Sequence, residues 1–233
     1  MRNTHLSESS NKFTWGFVYT PKAGDTVVDI GAGLGSESFY FANKVGNAGR
    51  VLSIEAHPLI CEYLGRTIEL NQFTWVKVLN LAVADKRQTL AIEDDMLNHL
   101  GNSISPKAGK AGIPVAAFSI DEICRLERVD NIDFLKMNIE GAESMALIGM
   151  SDIIQRTRYI CISCHDFKYR ETGNKFFQTK LFVENFLIDK GFTIVQRTGE
   201  NREIGDQVNA YNKHFIGSEI DVASKASRSF PNS

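Results

Sequence analysis

One run of residues limits the fold of this chain more than any other: Val27-Val28-Asp29-Ile30-Gly31-Ala32-Gly33-Leu34-Gly35. Val27, Val28 and Ile30 are β-branched and apolar, as expected of a strand buried on both faces of a parallel sheet. Three glycines at alternate positions follow, and without a Cβ they allow a sharp turn and close approach of a ligand to the main chain. Ser36-Glu37-Ser38-Phe39-Tyr40-Phe41-Ala42 then opens a helix, with Ser36 as the expected cap. Strand, glycine turn and helix N-terminus together form a nucleotide-type pocket at the carboxyl end of a sheet.

A second strand, Arg50-Val51-Leu52-Ser53-Ile54, ends on Glu55, 20 residues after Gly35. An acidic side chain at that offset accepts hydrogen bonds from ribose hydroxyls. Asp29, two residues before Gly31, is expected at the strand end facing the pocket. The glycines are spaced G-x-G-x-G, unlike the G-x-G-x-x-G of dinucleotide dehydrogenases. That spacing, with Asp29, favours S-adenosylmethionine over NAD as the cofactor.

The 233 residues suffice for one large α/β domain. A net charge of −2 offers no electrostatic case for nucleic acid or an anionic membrane as partner. No apolar run reaches membrane-spanning length, and the polar residues 1–10 hold no apolar signal core, so the expected location is cytoplasmic. Cys161-Ile162-Ser163-Cys164-His165 matches the C-x-x-C-H pattern of haem attachment. Within a strand from Arg158 to Ser163, however, side chains three apart face opposite ways. The four cysteines therefore read as small buried apolar groups.

Along the chain, residues 1–20 read as an arm anchored by Phe13, Trp15, Phe17 and Tyr19, residues 21–217 as the domain, and 218–233 as a disordered tail. His57-Pro58 starts a second helix that ends near Asn71. Val76 to Val83 is a third strand, Leu90 to Ile92 an edge strand, and 94–113 a long loop of the kind that covers a site. Ser119 caps a short helix, Ile132 to Ile139 is a fourth strand, and a helix follows Glu143. Tyr159 to Ile162 is a fifth strand. Residues 175–190 form a helix with Phe176, Leu181, Phe182, Phe186 and Leu187 on its apolar side. Phe192 to Arg197 and Tyr211 to Ile216 are the last strands. This order implies a mostly parallel sheet with helices on both faces.

Four segments together resemble the FkbM family of S-adenosylmethionine-dependent methyltransferases. They are Val27 to Gly35; Glu55-Ala56-His57-Pro58; Ser119 to Ile123; and Asp133-Phe134-Leu135-Lys136-Met137-Asn138-Ile139-Glu140-Gly141-Ala142-Glu143. Asn138 stands where members of the family usually carry Asp. The resemblance implies a Rossmann-like class I fold with seven strands, the last antiparallel, and O-methylation of a small molecule such as a sugar or secondary metabolite. It places Asp29, Gly31, Gly33 and Gly35 at the methionine and ribose end of the cofactor. It further places Glu55 on the ribose, Ala82 and Val83 by the adenine, and Asn138 near the sulfonium.

Methyl transfer to a hydroxyl needs a group that aligns the oxygen and receives its proton. His165 is the expected base, because an imidazole suits that role at neutral pH and follows the fifth strand. Glu140 is the second candidate and the expected partner of His165. Lys136, in a buried strand, needs a counter-charge that Asp29 can supply. Asn138, Glu140, His165 and Asp166 have oxygen and imidazole ligand chemistry, but no fixed spacing supports a metal, and none is expected. The alternatives are an NAD-dependent oxidoreductase, disfavoured by the glycine spacing, and a non-catalytic cofactor-binding module. The acceptor's identity and the oligomeric state are not legible in the residues.

Overall fold

The structure is a computed structural model and describes residues 14–94, 104, 112–197 and 202–215. Most of the arm's first residues, most of the 94–113 loop and the 218–233 tail lie outside these, as does Ile216.

The chain opens with β1 (Thr26–Ile30), α1 (Ser36–Val45), β2 (Arg50–Glu55), α2 (Pro58–Leu70) and β3 (Val76–Asn80). Three strands of a second sheet come next: β4 (Ala82–Val83), β5 (Gln88–Ile92) and β6 (Ile113–Phe118). They are followed by α3 (Ile120–Leu126), β7 (Ile132–Met137), α4 (Glu143–Ile148), β8 (Thr157–Ser163) and α5 (Asp166–Thr172). The described part closes with α6 (Lys180–Asp189), β9 (Phe192–Val195), α7 (Arg202–Gly205) and β10 (Gln207–Asn212). The main sheet has seven strands in the order β3-β2-β1-β7-β8-β10-β9. Five pair in parallel, and β10 runs antiparallel to both β8 and β9.

Alternation along β1 divides the core between the two faces of the sheet. Val28 and Ile30 join Leu135, Met137, Ile160 and Ile162 on one side, together with residues of α3, α4 and α6. Val27 joins Val51, Phe134 and Cys161 on the other, against Phe41 and Val45 of α1 and Trp15 of the arm. Cys161 and Cys164 fall in different clusters, as opposite-facing strand positions require, and all four cysteines are buried and free.

Several local expectations are corrected. The third strand stops at Asn80, whose Nδ2 donates to the carbonyls of Glu55 and Ala56 at the end of β2. Ala82 and Val83 then pair with β6, so one apolar run serves two sheets. Ser36 does not cap α1; Gly35 occupies that position in a left-handed conformation, and the Ser36 hydroxyl donates to Glu37. Residues 175–190 are a short 3-10 turn, Lys175–Phe177, followed by α6. The buried stripe of α6 is Val183 and Leu187, while Leu181 is 69% exposed and Phe182 is also outward. The last strand ends at Asn212 and begins four residues ahead of Tyr211, at Gln207. Ser119, His57 and Asn71 end their helices as expected.

Candidate active site

The glycine turn is built on a buried ion pair. Asp29 on β1 and Lys136 on β7 sit opposite each other in the parallel register. Lys136 Nζ lies 2.9 Å from Asp29 Oδ1 and donates to the carbonyl of Gly31 at 2.7 Å. The other Asp29 oxygen accepts from Ser38 at 2.7 Å, and Ser38 in turn accepts from Ser53 at 2.8 Å. The two charged side chains are 0% and 1% exposed. Burial pushes the Asp29 carboxyl up, and the neighbouring ammonium offsets only part of that, leaving it above its usual value. Burial works equally against the Lys136 charge, but Asp29 outweighs it and leaves the lysine pKa raised. Asp29 therefore does not line a pocket; it holds, through Lys136, the carbonyl from which the turn departs. The expected counter-charge for Lys136 is present, and Asp29 lies beneath the cavity and not in its wall.

Above this base the main chain is pinned at each step. The N–H groups of Gly31 and Ala32 donate to the Ile54 carbonyl at 2.9 and 3.0 Å. Gly33 N–H donates to Glu55 Oε2 and His57 N–H to Glu55 Oε1, both at 2.8 Å. Glu55 is thus a brace of the turn, and each carboxylate oxygen keeps a further lone pair for a ligand hydroxyl. The three glycines serve different ends. A Cβ on Gly31 would lie 1.9 Å from the Asn138 carbonyl oxygen, so Gly31 allows β1 and β7 to close up. A Cβ on Gly35 would lie 2.6 Å from Leu64, so Gly35 seats α1 against α2. Gly33 has φ +55° and open space where its Cβ would stand.

The result is a cavity of about 420 Å³, within the usual range for a small-molecule site. Its walls include Gly31, Gly33, Glu55, Ala82, Val83, Asn138 and Glu140. These residues were singled out from the sequence and come together here; Asp29, Gly35 and His165 are not among the walls. Ile92 and Ile104 add apolar surface that sequence reasoning missed, because their strand contact depends on the second sheet. Asn138 Oδ1 is buried with no hydrogen-bond partner among the described residues. An orphan acceptor, an open glycine and a carboxylate with spare lone pairs suit a ligand bearing ribose hydroxyls and an amino group. This fits S-adenosylmethionine.

Beside the cavity, the turn after β7 carries two acidic residues. Glu140 has φ +55°, unusual for a residue with a side chain. Its carboxylate meets His165 Nε2 at 3.2 Å and the Lys168 ammonium. The other ring nitrogen, His165 Nδ1, is 2.9 Å from Glu143 Oε1. Glu143 is fully buried and also accepts from Gly141 N–H at 3.0 Å and from the Thr179 hydroxyl at 2.9 Å. Burial disfavours charge on His165, but the two carboxylates outweigh it and raise its pKa to about 9. Burial pushes Glu140 up, and His165 and Lys168 outweigh that and hold it below its usual value. With a carboxylate facing each ring nitrogen, the geometry favours the doubly protonated ring. A ring held in that form has no lone pair with which to take a proton, which weighs against the expected general-base role of His165. Its expected pairing with Glu140 is present. Asp166 points away from this cluster, and its Oδ2 accepts from the N–H groups of Thr179 and Lys180 and caps α6. No group of metal-ligating side chains with suitable geometry occurs among the described residues.

The sheet order, the antiparallel β10 and a glycine cleft at the carboxyl ends of β1 and β2 define the class I methyltransferase fold. Residues 29–194, more than half of the chain, match the Methyltransferase FkbM domain, and the chain belongs to that family. The family membership sets aside the oxidoreductase alternative. Among solved structures, a methyltransferase FkbM from Methylobacillus flagellatus is 17% identical with a TM-score of 0.55, over 88% of this chain and 47% of that one. Aeropyrum pernix fibrillarin, solved with S-adenosyl-L-methionine bound, is 12% identical with a TM-score of 0.51, over 87% of this chain and 74% of that one. At these identities the likeness concerns the fold. A curated relative, a protein-L-isoaspartate O-methyltransferase of Methanococcus aeolicus, is 31% identical over 137 residues. The match covers 55% of this chain and 62% of the length of that relative.

Proposed function

We propose that the protein is an S-adenosylmethionine-dependent O-methyltransferase whose acceptor is a hydroxyl of a small molecule, such as a sugar or secondary metabolite. The observation that carries this reading is the Glu140 carboxylate. Glu140 is among the residues of the cleft wall and its carboxyl is held below its usual pKa, so a spare lone pair can accept a hydrogen bond from an acceptor hydroxyl. When bound, the cofactor would supply a methyl group activated by its sulfonium. Glu55 and the Gly33 main chain would hold the ribose, Ala82 and Val83 would flank the adenine, and Asn138 would lie near the sulfonium. Glu140 would orient the acceptor oxygen and take up its hydroxyl proton, passing it to water.

The isoaspartyl relative suggests a carboxylate acceptor instead, which the chemistry of the labelled product separates from a hydroxyl acceptor. A net charge of −2 favours a small acceptor over nucleic acid. The free, buried cysteines suit a reducing compartment, which supports the cytoplasm as the place of action. The test uses methyl-labelled S-adenosylmethionine with panels of sugars and phenols, an isoaspartyl peptide and RNA. The reading expects label in an alkali-stable ether of a small hydroxyl compound. Label released by mild alkali, as from a carboxyl ester, or label in RNA contradicts it. Tight cofactor binding with no transfer to any acceptor supports a non-catalytic module.

A further inference from the structure

The site holds a buried charge arrangement larger than a hydroxyl-orienting carboxylate needs. Glu140, Glu143, His165 and Lys168 form two anions and two cations in direct contact. His165 is 3% exposed and Glu143 is 0% exposed. They come from three parts of the chain: the turn after β7, the first residue of α4, and the N-cap and first turn of α5. Thr179, just ahead of α6, ties Glu143 from the far side. The Gly141 N–H that Glu143 also binds belongs to the residue after Glu140. Glu143 thus fixes both the main chain beside Glu140 and the ring that touches its side chain.

We propose that His165 is a positioning residue: clamped between Glu140 and Glu143, it works as a fixed cation that aims the Glu140 carboxylate into the cleft. The proposal rests on the hydroxyl-acceptor reading for what Glu140 meets there. It inverts the role that a histidine beside a methyl-transfer site would ordinarily suggest. A general base works when its ring is neutral, so the rate rises with pH through its pKa. A cationic strut works when its ring is charged, so the rate is level at neutral pH and falls as the ring loses its proton.

The strained backbone of Glu140 agrees with this role. With φ +55° at Glu140 and +98° at Gly141, the turn takes a conformation that a free loop would seldom adopt. A Cβ on Gly141 would lie 2.7 Å from the Phe176 ring, so the turn is also pressed from outside. Among the described residues around His165, the remaining charges are engaged elsewhere. Asp166 caps α6, and Asp206 pairs with Arg170 and accepts from Phe167 N–H. Lys180 donates to the Gly205 carbonyl and faces Glu184. The neighbouring Cys164 thiol is pushed well up by burial, which keeps it neutral beside the ring. Glu140 and Glu143 are therefore the partners that set the state of the ring.

The experiment is a nuclear magnetic resonance titration of the imidazole nitrogens in the whole protein, with and without S-adenosylhomocysteine, beside Glu140→Gln and Glu143→Gln. It needs no acceptor, so its outcome is independent of whether the hydroxyl-acceptor reading holds. The proposal expects both ring nitrogens of His165 protonated at pH 7.5, a midpoint near 9, and a midpoint lowered by about one unit or more in each variant. With an acceptor in hand, wild-type turnover stays level from about pH 6.5 to 8 and falls above 9, while His165→Gln loses activity about tenfold or more without that alkaline limb. Its affinity for S-adenosylhomocysteine changes by less than about threefold, because the ring is not among the walls of the cleft. A neutral His165 ring at pH 7.5 in the wild type overturns the proposal. A wild-type rate that climbs between pH 6 and 8 through His165 overturns it as well.

Discussion

At the residue scale, the same side chain can be predicted in the right place for an incomplete reason. Glu55 ends β2 where an acidic group reaches a ribose, and its offset from Gly35 made this legible. Its two backbone hydrogen bonds, to Gly33 and His57, are invisible to any spacing rule because both partners lie in turns. Glu55→Ala should therefore do two things at once. It should weaken S-adenosylhomocysteine binding about tenfold or more, and it should lower unfolding stability by about 1.5–3 kcal/mol through loss of charge-assisted bonds to the main chain. Calorimetric titration and urea unfolding on one preparation read both effects. Unchanged affinity in the folded variant contradicts the ribose assignment. The glycines teach a similar lesson. Their alternation identifies a tight turn, but only the positions of Asn138 and Leu64 show that Gly31 and Gly35 serve packing while Gly33 faces the cleft.

At the scale of elements, parallel strands were the most legible part. β1, β2, β7 and β8 are near-continuous apolar runs, as burial on both faces demands. Of the second sheet, the edge strand at Leu90 to Ile92 was legible, whereas β6 was not, because it has Pro114 at its second position and alternates only weakly in sequence. Helix α6 was misread for a different reason. Its start is capped by Asp166, a residue 14 positions ahead of Lys180, and no local pattern records so distant a cap. The ion pair joining β1 and β7 was legible, since Lys136 inside an apolar strand requires a partner on the neighbouring strand. Lys136→Met should leave Asp29 as an uncompensated buried charge and cost about 3–5 kcal/mol of stability. The double variant Asp29→Asn with Lys136→Met should recover a large part of that loss. Urea unfolding of the wild type, the single variant and the double variant measures it. Equal stability of the single variant and the wild type contradicts a structural role for the pair.

At the scale of the whole molecule, the fold brings titratable groups from distant parts of the chain into one site, and its stability follows their proton balance. The folded His165 pKa of about 9 lies above the ordinary value of 6.5. Its contribution to stability is thus fully present below pH 6.5 and is lost as pH rises through about 9. Glu140 acts with the opposite sign: its lowered pKa gives stability above the ordinary value of 4.5 that is lost on acidification. Melting temperature should accordingly decline from pH 6.5 to 9, and His165→Gln should flatten that decline. A wild-type melting temperature that rises over the same interval, with the rise absent from His165→Gln, contradicts the raised pKa.

The central claim is that the turn from Gly31 to Gly35 cradles S-adenosylmethionine above the Asp29–Lys136 pair. Gly33 separates binding from folding most cleanly, because it lines the cavity and a Cβ there would meet no protein atom within 4 Å beyond its chain neighbours. The most direct measurement is calorimetric titration of wild type and Gly33→Val with S-adenosylhomocysteine, with NAD as the control ligand. The account predicts one S-adenosylhomocysteine per wild-type chain and no NAD. It also predicts that the folded Gly33→Val protein loses affinity by about a hundredfold or more, while the left-handed backbone lowers stability by only about 1–2 kcal/mol. Normal binding by folded Gly33→Val, or NAD binding by the wild type in place of S-adenosylhomocysteine, would contradict it.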